Sequence, residues 1–329
     1  MNIYYITKIL LLIFFMTSHS HAKDIDSVNK FISYMQDTHG FDKQILIPLF
    51  DNAIISNTIL EAISRPAEKK LLWYQYRNIF IQKKRIEQGA RFWKNNESKL
   101  REAEKKFGVP PEIIVAIIGV ETFYGKISGD YRVIDALNTL AFHYPKRAAF
   151  FRSELEQFLL LAREQNFNPK DLKGSYAGAM GMPQFISSSY RNYAIDFDND
   201  DVIDIWNNRN DVIGSIANYF SKHGWKSGEP VISKVSIEGE NYKKILDNKL
   251  HLNITGSDLD KYGIKTNLSF NENEKLRLFQ FNFEKFSEFW LARNNFYVIT
   301  RYNHSKLYAM AVYELALKIK KYKDDNFTY

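Results

Sequence analysis

Pro110-Pro-Glu-Ile-Ile-Val-Ala-Ile-Ile-Gly-Val-Glu-Thr-Phe-Tyr-Gly125 reads as a short apolar helix that ends on a carboxylate. Proline suits the first turn of a helix, where its missing N–H has no partner to lose. From Ile113 to Val120 every residue is apolar except Gly119, so the predicted helix has no polar face and belongs in a core. Glu121 falls in its last turn, just before Thr122 and Gly125. Burial disfavours an ionised carboxylate, and so does the partial negative charge at a helix C-terminus. Both effects raise the pKa, which is how a Glu becomes a proton donor near neutral pH. The same placement suits a structural Glu bonded to backbone or to an Arg. On this stretch alone both readings stand.

The rest of the 329-residue chain is 45% hydrophobic, 25% charged and 15% aromatic, the profile of a globular protein with ample length for a core. Its N-terminus has the form of a signal peptide over residues 1–22. Lys8 precedes the apolar run Ile9–Met16, and Ser20-His-Ala22 fits a cleavage site. That run is too short to span a bilayer. With no cysteine, disulfides, thiol nucleophiles and a lipid-bearing cysteine are all excluded. The formal charge is +7, and loss of the leader with Lys8 takes it to +6. A basic exported protein favours anionic partners, with cell-wall polymer, nucleic acid and anionic lipid all open at this point.

Downstream of the leader, residues 23–107 read as helical, with amphipathic segments at Leu71–Ile81 and Ala90–Leu100. Trp73, Tyr74, Tyr76, Phe80 and Trp93 form an aromatic series that suits either a core or a sugar-binding groove. Past Glu121, Lys146–Ala162 is a second amphipathic helix whose first residues, Lys146 and Arg147, are a solvated end or a contact for an acidic substrate. The run Lys173–Tyr190 holds Gly174, Gly178 and Gly181 with Pro183 and Gln184. It is a tight turn that brings backbone close to a neighbour. Ser175 and Gln184 there are uncharged groups suited to sugar hydroxyls. From residue 225 to 285 the texture becomes β-like, with alternating runs at Gly228–Ile237 and Lys275–Phe283. Tyr297–Ala316 then reads as a short strand leading into an apolar-faced helix.

Between these lies Asp196-Phe-Asp-Asn-Asp-Asp-Val-Ile-Asp-Ile-Trp206. Its carboxylates at loop positions 1, 3, 5 and 9 and the Val202 carbonyl at 7 match most of an EF-hand loop. Asp201 stands where that loop needs Gly, and Asn207 replaces the closing Glu; Asp211 offers to close a longer loop. An acidic turn capping the helix from Asp211 is the alternative.

The inventory of chemistry is otherwise thin. His143, His223 and His304 lack the spacing of a zinc site or a triad, and no Gly-x-Ser-x-Gly or nucleotide fingerprint occurs. Glycosidases usually need two carboxylates, and Asp130 is the nearest second candidate to Glu121. A single acid suffices where the substrate supplies its own nucleophile.

Five stretches in register resemble the lytic murein transglycosylase B family. They are Gly119–Gly125, Gly174–Gly181 with Pro183-Gln-Phe185, the Asp-rich loop, Ala217-Asn-Tyr-Phe220 with His223-Gly-Trp225, and Arg301-Tyr-Asn-His-Ser305. The resemblance implies a mainly α (α+β) fold. Its parts are a helical domain over 23–107 joined by a C-terminal helix 306–325, a lysozyme-like core over 108–224 with the EF-hand-like loop 196–211, and a small β-containing module over 225–285. The chain then returns to core and helical domain over 286–329.

The implied reaction is cleavage of the β-1,4 bond between N-acetylmuramic acid and N-acetylglucosamine of peptidoglycan, leaving 1,6-anhydromuramic ends. Glu121 matches the family's catalytic carboxylate, first acid and then base. Tyr76, Ser175, Gln184, Tyr219, Tyr302, Asn303 and Tyr308 match residues that hold glycan, and Lys146 and Arg147 match a basic pair for muramyl-peptide carboxylates. Asp196, Asp198, Asp200, Val202 and Asp211 match the family's cation loop, giving a structural Ca2+ or Na+ and no catalytic cofactor. The loop departs from the family by one extra residue before Asp211. The implied partner is the peptidoglycan glycan strand, with other cell-wall enzymes beyond it and neither nucleic acid nor a lipid anchor. The implied location is the periplasm. Rival readings are a hydrolytic muramidase using Asp130 and a non-catalytic peptidoglycan-binding protein.

Overall fold

Residues 26–64 and 71–327 are described in the computed structural model, so the expected leader at 1–22 lies outside the described residues. Thirteen α-helices account for most of them. They are α1 (residues 26–39), α2 (Lys43–Asp51), α3 (Asn57–Ser64), α4 (Trp73–Phe80), α5 (Lys83–Asn95), α6 (Glu97–Phe107) and α7 (Pro111–Thr122). Next come α8 (Val133–His143), α9 (Ala148–Glu164), α10 (Ser187–Tyr193), α11 (Arg209–Lys222), α12 (Asn294–Tyr302) and α13 (Lys306–Phe327). The strands are β1 (Tyr131–Arg132), β2 (Lys173–Gly174), β3 (Ile232–Ile237), β4 (Ile254–Thr255), β5 (Ile264–Lys265), β6 (Lys275–Asn282) and β7 (Ser287–Ala292). Contacts divide the chain into two compact units.

The first unit holds residues 26–64, Gly129–Met180 and Phe185–Arg191. Its centre is α8, buried from Val133 to Phe142, packed along α9. Asp135 is buried there because its carboxylate is fully engaged: Arg132 pairs with it and the Ile54 N–H donates to it at 2.9 Å. Thr139 Oγ1 accepts from the Ser56 N–H at 3.1 Å, so α8 fixes the loop between α2 and α3. The β1–β2 ladder is antiparallel, Tyr131 facing Gly174.

The second unit holds residues 71–128, 181–184 and 192–327. Its core is α7, every residue from Ile113 to Val120 buried as the apolar run requires, with α5, α6, α11 and α13 packed on it. Gly108, at φ 72°, ends α6 in the left-handed conformation that favours glycine, and Pro110 and Pro111 start α7 two residues later. The five-stranded antiparallel sheet has the order β4-β6-β7-β3-β5. The alternation in β6 separates its faces. Leu276 and Leu278 join Val235, Ile245, Ile254, Ile264 and Leu291 in one cluster. Phe279 and Phe281, on the other face, meet Phe296 of α12 at a tilt and Trp73 of α4 edge-on, each at 5.4 Å. The strands expected at 228–237 and 275–283 are thus β3 and β6.

Two local expectations need correction. Tyr297–Thr300, with its β-branched run, belongs to helix α12 and not to a strand. Phe296, Val298, Ile299 and Thr300 are all buried, and the Asn295 amide bridges the Lys226 and Glu229 carbonyls, so tertiary packing overrides local preference. The Ala90–Leu100 segment is broken at Asn96, whose φ of −123° and ψ of 22° are not helical and separate α5 from α6.

Candidate active site

Glu121 lies in the last turn of α7 and is half-buried, alone among residues 113–122 of that helix in reaching an accessible surface. The helix therefore carries a carboxylate out of a dry core to its edge, which refines the expectation of a buried Glu. Next to it Thr122 is fully buried. Its hydroxyl lies 3.0 Å from the Met182 carbonyl and 3.3 Å from that of Ile118, and accepts the Gly125 N–H at 3.0 Å. The turn beyond the helix is tight: Phe123 and Tyr124 have φ of 51° and 64°.

Tyrosines surround the carboxylate. The Tyr308 hydroxyl, from the first turn of α13, donates to Glu121 Oε1 at 2.5 Å. Burial pushes Tyr308 well above the usual phenol range, with the charges of Glu121 and Tyr302 adding to it. Tyr302 lies nearly parallel to Tyr308, ring centroids 6.5 Å apart, and donates to the Pro183 carbonyl at 2.6 Å. Burial and then the Glu121 charge raise it in the same way. Tyr219 of α11 meets Tyr302 edge-on at 4.9 Å, stacks on His223 at 4.0 Å, and donates to the Arg301 carbonyl at 2.7 Å. Tyr76 of α4 is buried, and its charge also bears on Tyr308. Asn303 is half-buried at the C-cap of α12. The wall is thus neutral and polar-edged, and three of its hydroxyls are already engaged by protein.

The Gly-rich stretch contributes two separate pieces. In the second unit, Gln184 adopts φ 51° and its side-chain amide donates to the Ser128 and Gly181 carbonyls, both at 3.0 Å. In the first unit, Ser175 Oγ accepts from Ala179 N–H at 3.1 Å and Ala177 N–H at 3.3 Å, closing its own turn. Also in the first unit, Lys146 and Arg147 form an exposed 3-10 turn before α9, not the start of the helix itself. The Arg147 guanidinium lies over the Phe150 ring at 4.2 Å.

Three carboxylates of the acidic loop converge. Carboxylate oxygens of Asp196, Asp198 and Asp211 lie within 4.8 Å of one another. Asp211 is fully buried and accepts from the Phe197 and Asp204 N–H groups, both at 2.8 Å. Burial pushes its acid up to about 6 against those hydrogen bonds, and the Asp198 and Asp196 charges add to the rise. Asp198 is instead lowered, by the Asn210 and Asn208 amides. Asp196 accepts from the N–H groups of Asn199, Asp200 and Asp201. Asp201 takes φ 67° at the position where an EF-hand has Gly, so the turn is made without it, at some strain. Asp204 caps the next turn, accepting from Trp206 and Asn207, while Asp200 and Val202 are exposed. Chemically this is a hard-cation donor set.

The structure brings Glu121 together with Tyr308, Tyr302 and Tyr219, all expected from the resemblance, and adds Thr122, whose small hydroxyl gives no pattern of its own. Tyr308, expected among the residues that hold glycan, is buried, and its hydroxyl meets Glu121.

Residues 24–317 match the family model described as transglycosylase SLT domain. The chain is 39% identical over 298 residues to membrane-bound lytic murein transglycosylase B of Escherichia coli (strain K12), covering 88% of this chain and 81% of that protein. It superposes on soluble lytic transglycosylase SltB1 of Pseudomonas aeruginosa with a TM-score of 0.86 at 48% identity, over 90% of this chain and 99% of that one. The Escherichia coli lytic transglycosylase SLT35 in complex with calcium superposes with a TM-score of 0.82 at 39% identity, over 90% and 93% of the two chains. The mainly helical α+β architecture is the lysozyme-like one of these enzymes.

Proposed function

We propose, from the premise that the chain belongs to the transglycosylase SLT domain family and is a peptidoglycan lytic transglycosylase, that Glu121 alone performs the acid and the base step. The observation that carries this is the Glu121 carboxylate, brought to the surface by a dry helix and met by the Tyr308 hydroxyl. Protonated Glu121 gives its proton to the oxygen linking N-acetylmuramic acid to N-acetylglucosamine, and that C–O bond breaks. Positive charge develops on the muramyl ring, where the substrate's N-acetyl group is placed to share it. The carboxylate left behind is stabilised by the Tyr308 O–H, a donor aimed at charge that appears only after proton transfer. It then takes the proton of the muramyl 6-hydroxyl, whose oxygen bonds to the anomeric carbon. No water enters, the product end is 1,6-anhydromuramic acid, and Glu121 is protonated again.

The other residues follow from their contacts. The hydroxyls of Tyr219 and Tyr302 are engaged by main-chain carbonyls, so half-buried Tyr302 offers apolar ring surface to the sugars, while Tyr219 and Tyr76, both buried, shape the wall from within. Gln184, Asn303 and, in the first unit, Ser175 offer uncharged polar groups to hydroxyl and N-acetyl groups. Lys146 and Arg147 are exposed cations for the carboxylates of the muramyl peptide. We assign the periplasm as location from the N-terminal segment and the substrate; among the described residues no helix is long and apolar enough to cross a membrane.

Asp196, Asp198 and Asp211, with Asp200 and the Val202 carbonyl, would hold a structural Ca2+ or Na+. The fit lies in the donor set: three carboxylates converge, one of them raised by burial and further by its neighbours' charge, which a cation relieves. The calcium complex of the Escherichia coli relative supports the same reading.

Mass analysis of muropeptides released from purified sacculi tests the reaction. Anhydromuramic ends are expected, and reducing ends would replace this mechanism with that of a hydrolytic muramidase. Glu121→Gln is expected to keep glycan binding and to lose turnover by at least about a hundredfold.

A further inference from the structure

Gly119 is the one break in the apolar run of α7, and glycine weakens a helix interior relative to alanine. Its neighbour explains it. A Cβ at Gly119 would stand 2.6 Å from the Tyr124 hydroxyl oxygen and 2.8 Å from its Cζ. A Cβ at Gly89 of α5 would overlap the same hydroxyl and the Ile319 side chain of α13. Two helices therefore lack a side chain at the point where the phenol tip passes between them. In that slot the hydroxyl donates to the Arg85 carbonyl at 2.8 Å, and the ring lies 5.8 Å from Phe92. The Arg85 guanidinium in turn sits over the Phe80 and Phe123 rings, at 5.2 and 5.0 Å.

The backbone leading into the slot is strained. Phe123 and Tyr124 are consecutive left-handed residues and neither is glycine. Bulky L residues keep that conformation only where the surroundings hold it. The pair closes the helix through Tyr124 N–H to the Ile118 carbonyl at 3.2 Å, so the strained turn and the last turn of α7 are one structure. Glu121 stands inside that last turn, where a helix otherwise frays.

We propose that Tyr124 is a positioning residue for Glu121: seated in the Gly89–Gly119 slot and bonded to the Arg85 carbonyl, it holds the left-handed turn and so keeps the Glu121 carboxylate at the Tyr308 hydroxyl. The proposal rests on Glu121 being the acid. A carboxylate displaced by about 1 Å loses rate by roughly a hundredfold without losing the groove that binds substrate.

The test compares Tyr124→Phe, Tyr124→Leu and Gly119→Ala with the unmodified enzyme on soluble glycan strands, at a temperature where melting curves show each variant folded. Tyr124→Phe removes only the donor, and Gly119→Ala fills the slot while leaving the tyrosine intact. Each is expected to lower kcat by about tenfold, and Tyr124→Leu by about a hundredfold, with KM within about twofold throughout. A double-mutant cycle separates positioning from general damage. In the Tyr124→Leu background, adding Tyr308→Phe should cost little more, because the carboxylate no longer meets that hydroxyl. If Tyr124→Leu does not fold, the same cycle is run on Gly119→Ala. Unchanged kcat in the folded variants, or losses that multiply in the cycle, overturns the proposal. Normal turnover by Glu121→Gln would defeat the assignment of the acid itself, and the positioning role with it.

Discussion

Tyr308 and Glu121 are 187 positions apart in the chain, and a hydrogen bond of 2.5 Å joins that hydroxyl to the carboxylate proposed as the acid. A hydroxyl donor favours the charged form of a carboxyl group over the protonated one, so its removal has a defined sign. Tyr308→Phe takes away stabilisation of the carboxylate, leaving the proton more tightly held. Since the first step needs the protonated acid, the alkaline limb of the rate profile moves to higher pH. The rate at neutral pH falls, by about tenfold, because the developing carboxylate has lost its donor. A kcat–pH profile of Tyr308→Phe checks both parts; an unmoved alkaline limb would separate Tyr308 from the acid's titration. At this scale the sequence is unevenly legible. Glu121 stands out because a carboxylate closing an apolar run has few reasons to be there. Tyr308 does not, since a tyrosine at the start of a helix carries no mark of what its hydroxyl reaches across the fold. Gly119 is visible as an anomaly, but its reason is a phenol from the following turn and needs coordinates to be seen.

Among elements, α7 and the loop at 196–211 were readable for opposite reasons. The helix is apolar on every side, which permits one environment only. The loop repeats acidic residues at alternate positions, a pattern with a specific geometric meaning. α12 was not readable, because Tyr-Val-Ile-Thr suits a strand locally, and the packing of Phe296 and Val298 that makes it helical comes from distant parts of the chain. The acidic loop carries its own prediction. Asp211 is buried with Asp196 and Asp198 against it, so a bound cation favours the folded state by removing their repulsion. Calcium at a hundredfold over its Kd would add about 2.7 kcal/mol to folding if it binds only the native loop. Melting curves should rise on adding calcium and fall with a chelator, and Asp211→Asn should abolish the response. Identical melting with calcium and with chelator would return the loop to the role of an acidic cap for α11.

Across the whole molecule, the excess of 45 basic over 38 acidic residues sets a positive field that no single motif reveals. On the proposed mechanism the lysozyme-like fold positions the acid, whereas this field would act on capture of the wall polymer through the carboxylates of its stem peptides. Exposed charges are screened beyond about 8 Å at physiological ionic strength, while a hydrogen bond at a half-buried carboxylate is screened far less. The two contributions therefore separate with salt. Raising ionic strength on peptide-bearing glycan strands should increase KM severalfold and leave kcat nearly unchanged. Strands stripped of their peptides should show a much flatter KM, since they lack the anionic groups that Lys146, Arg147 and the general positive charge attract. A salt dependence equally steep on both substrates would place the attraction elsewhere than in the stem-peptide carboxylates. A fall in kcat with unmoved KM would mean that salt acts on the Glu121 chemistry and not on capture.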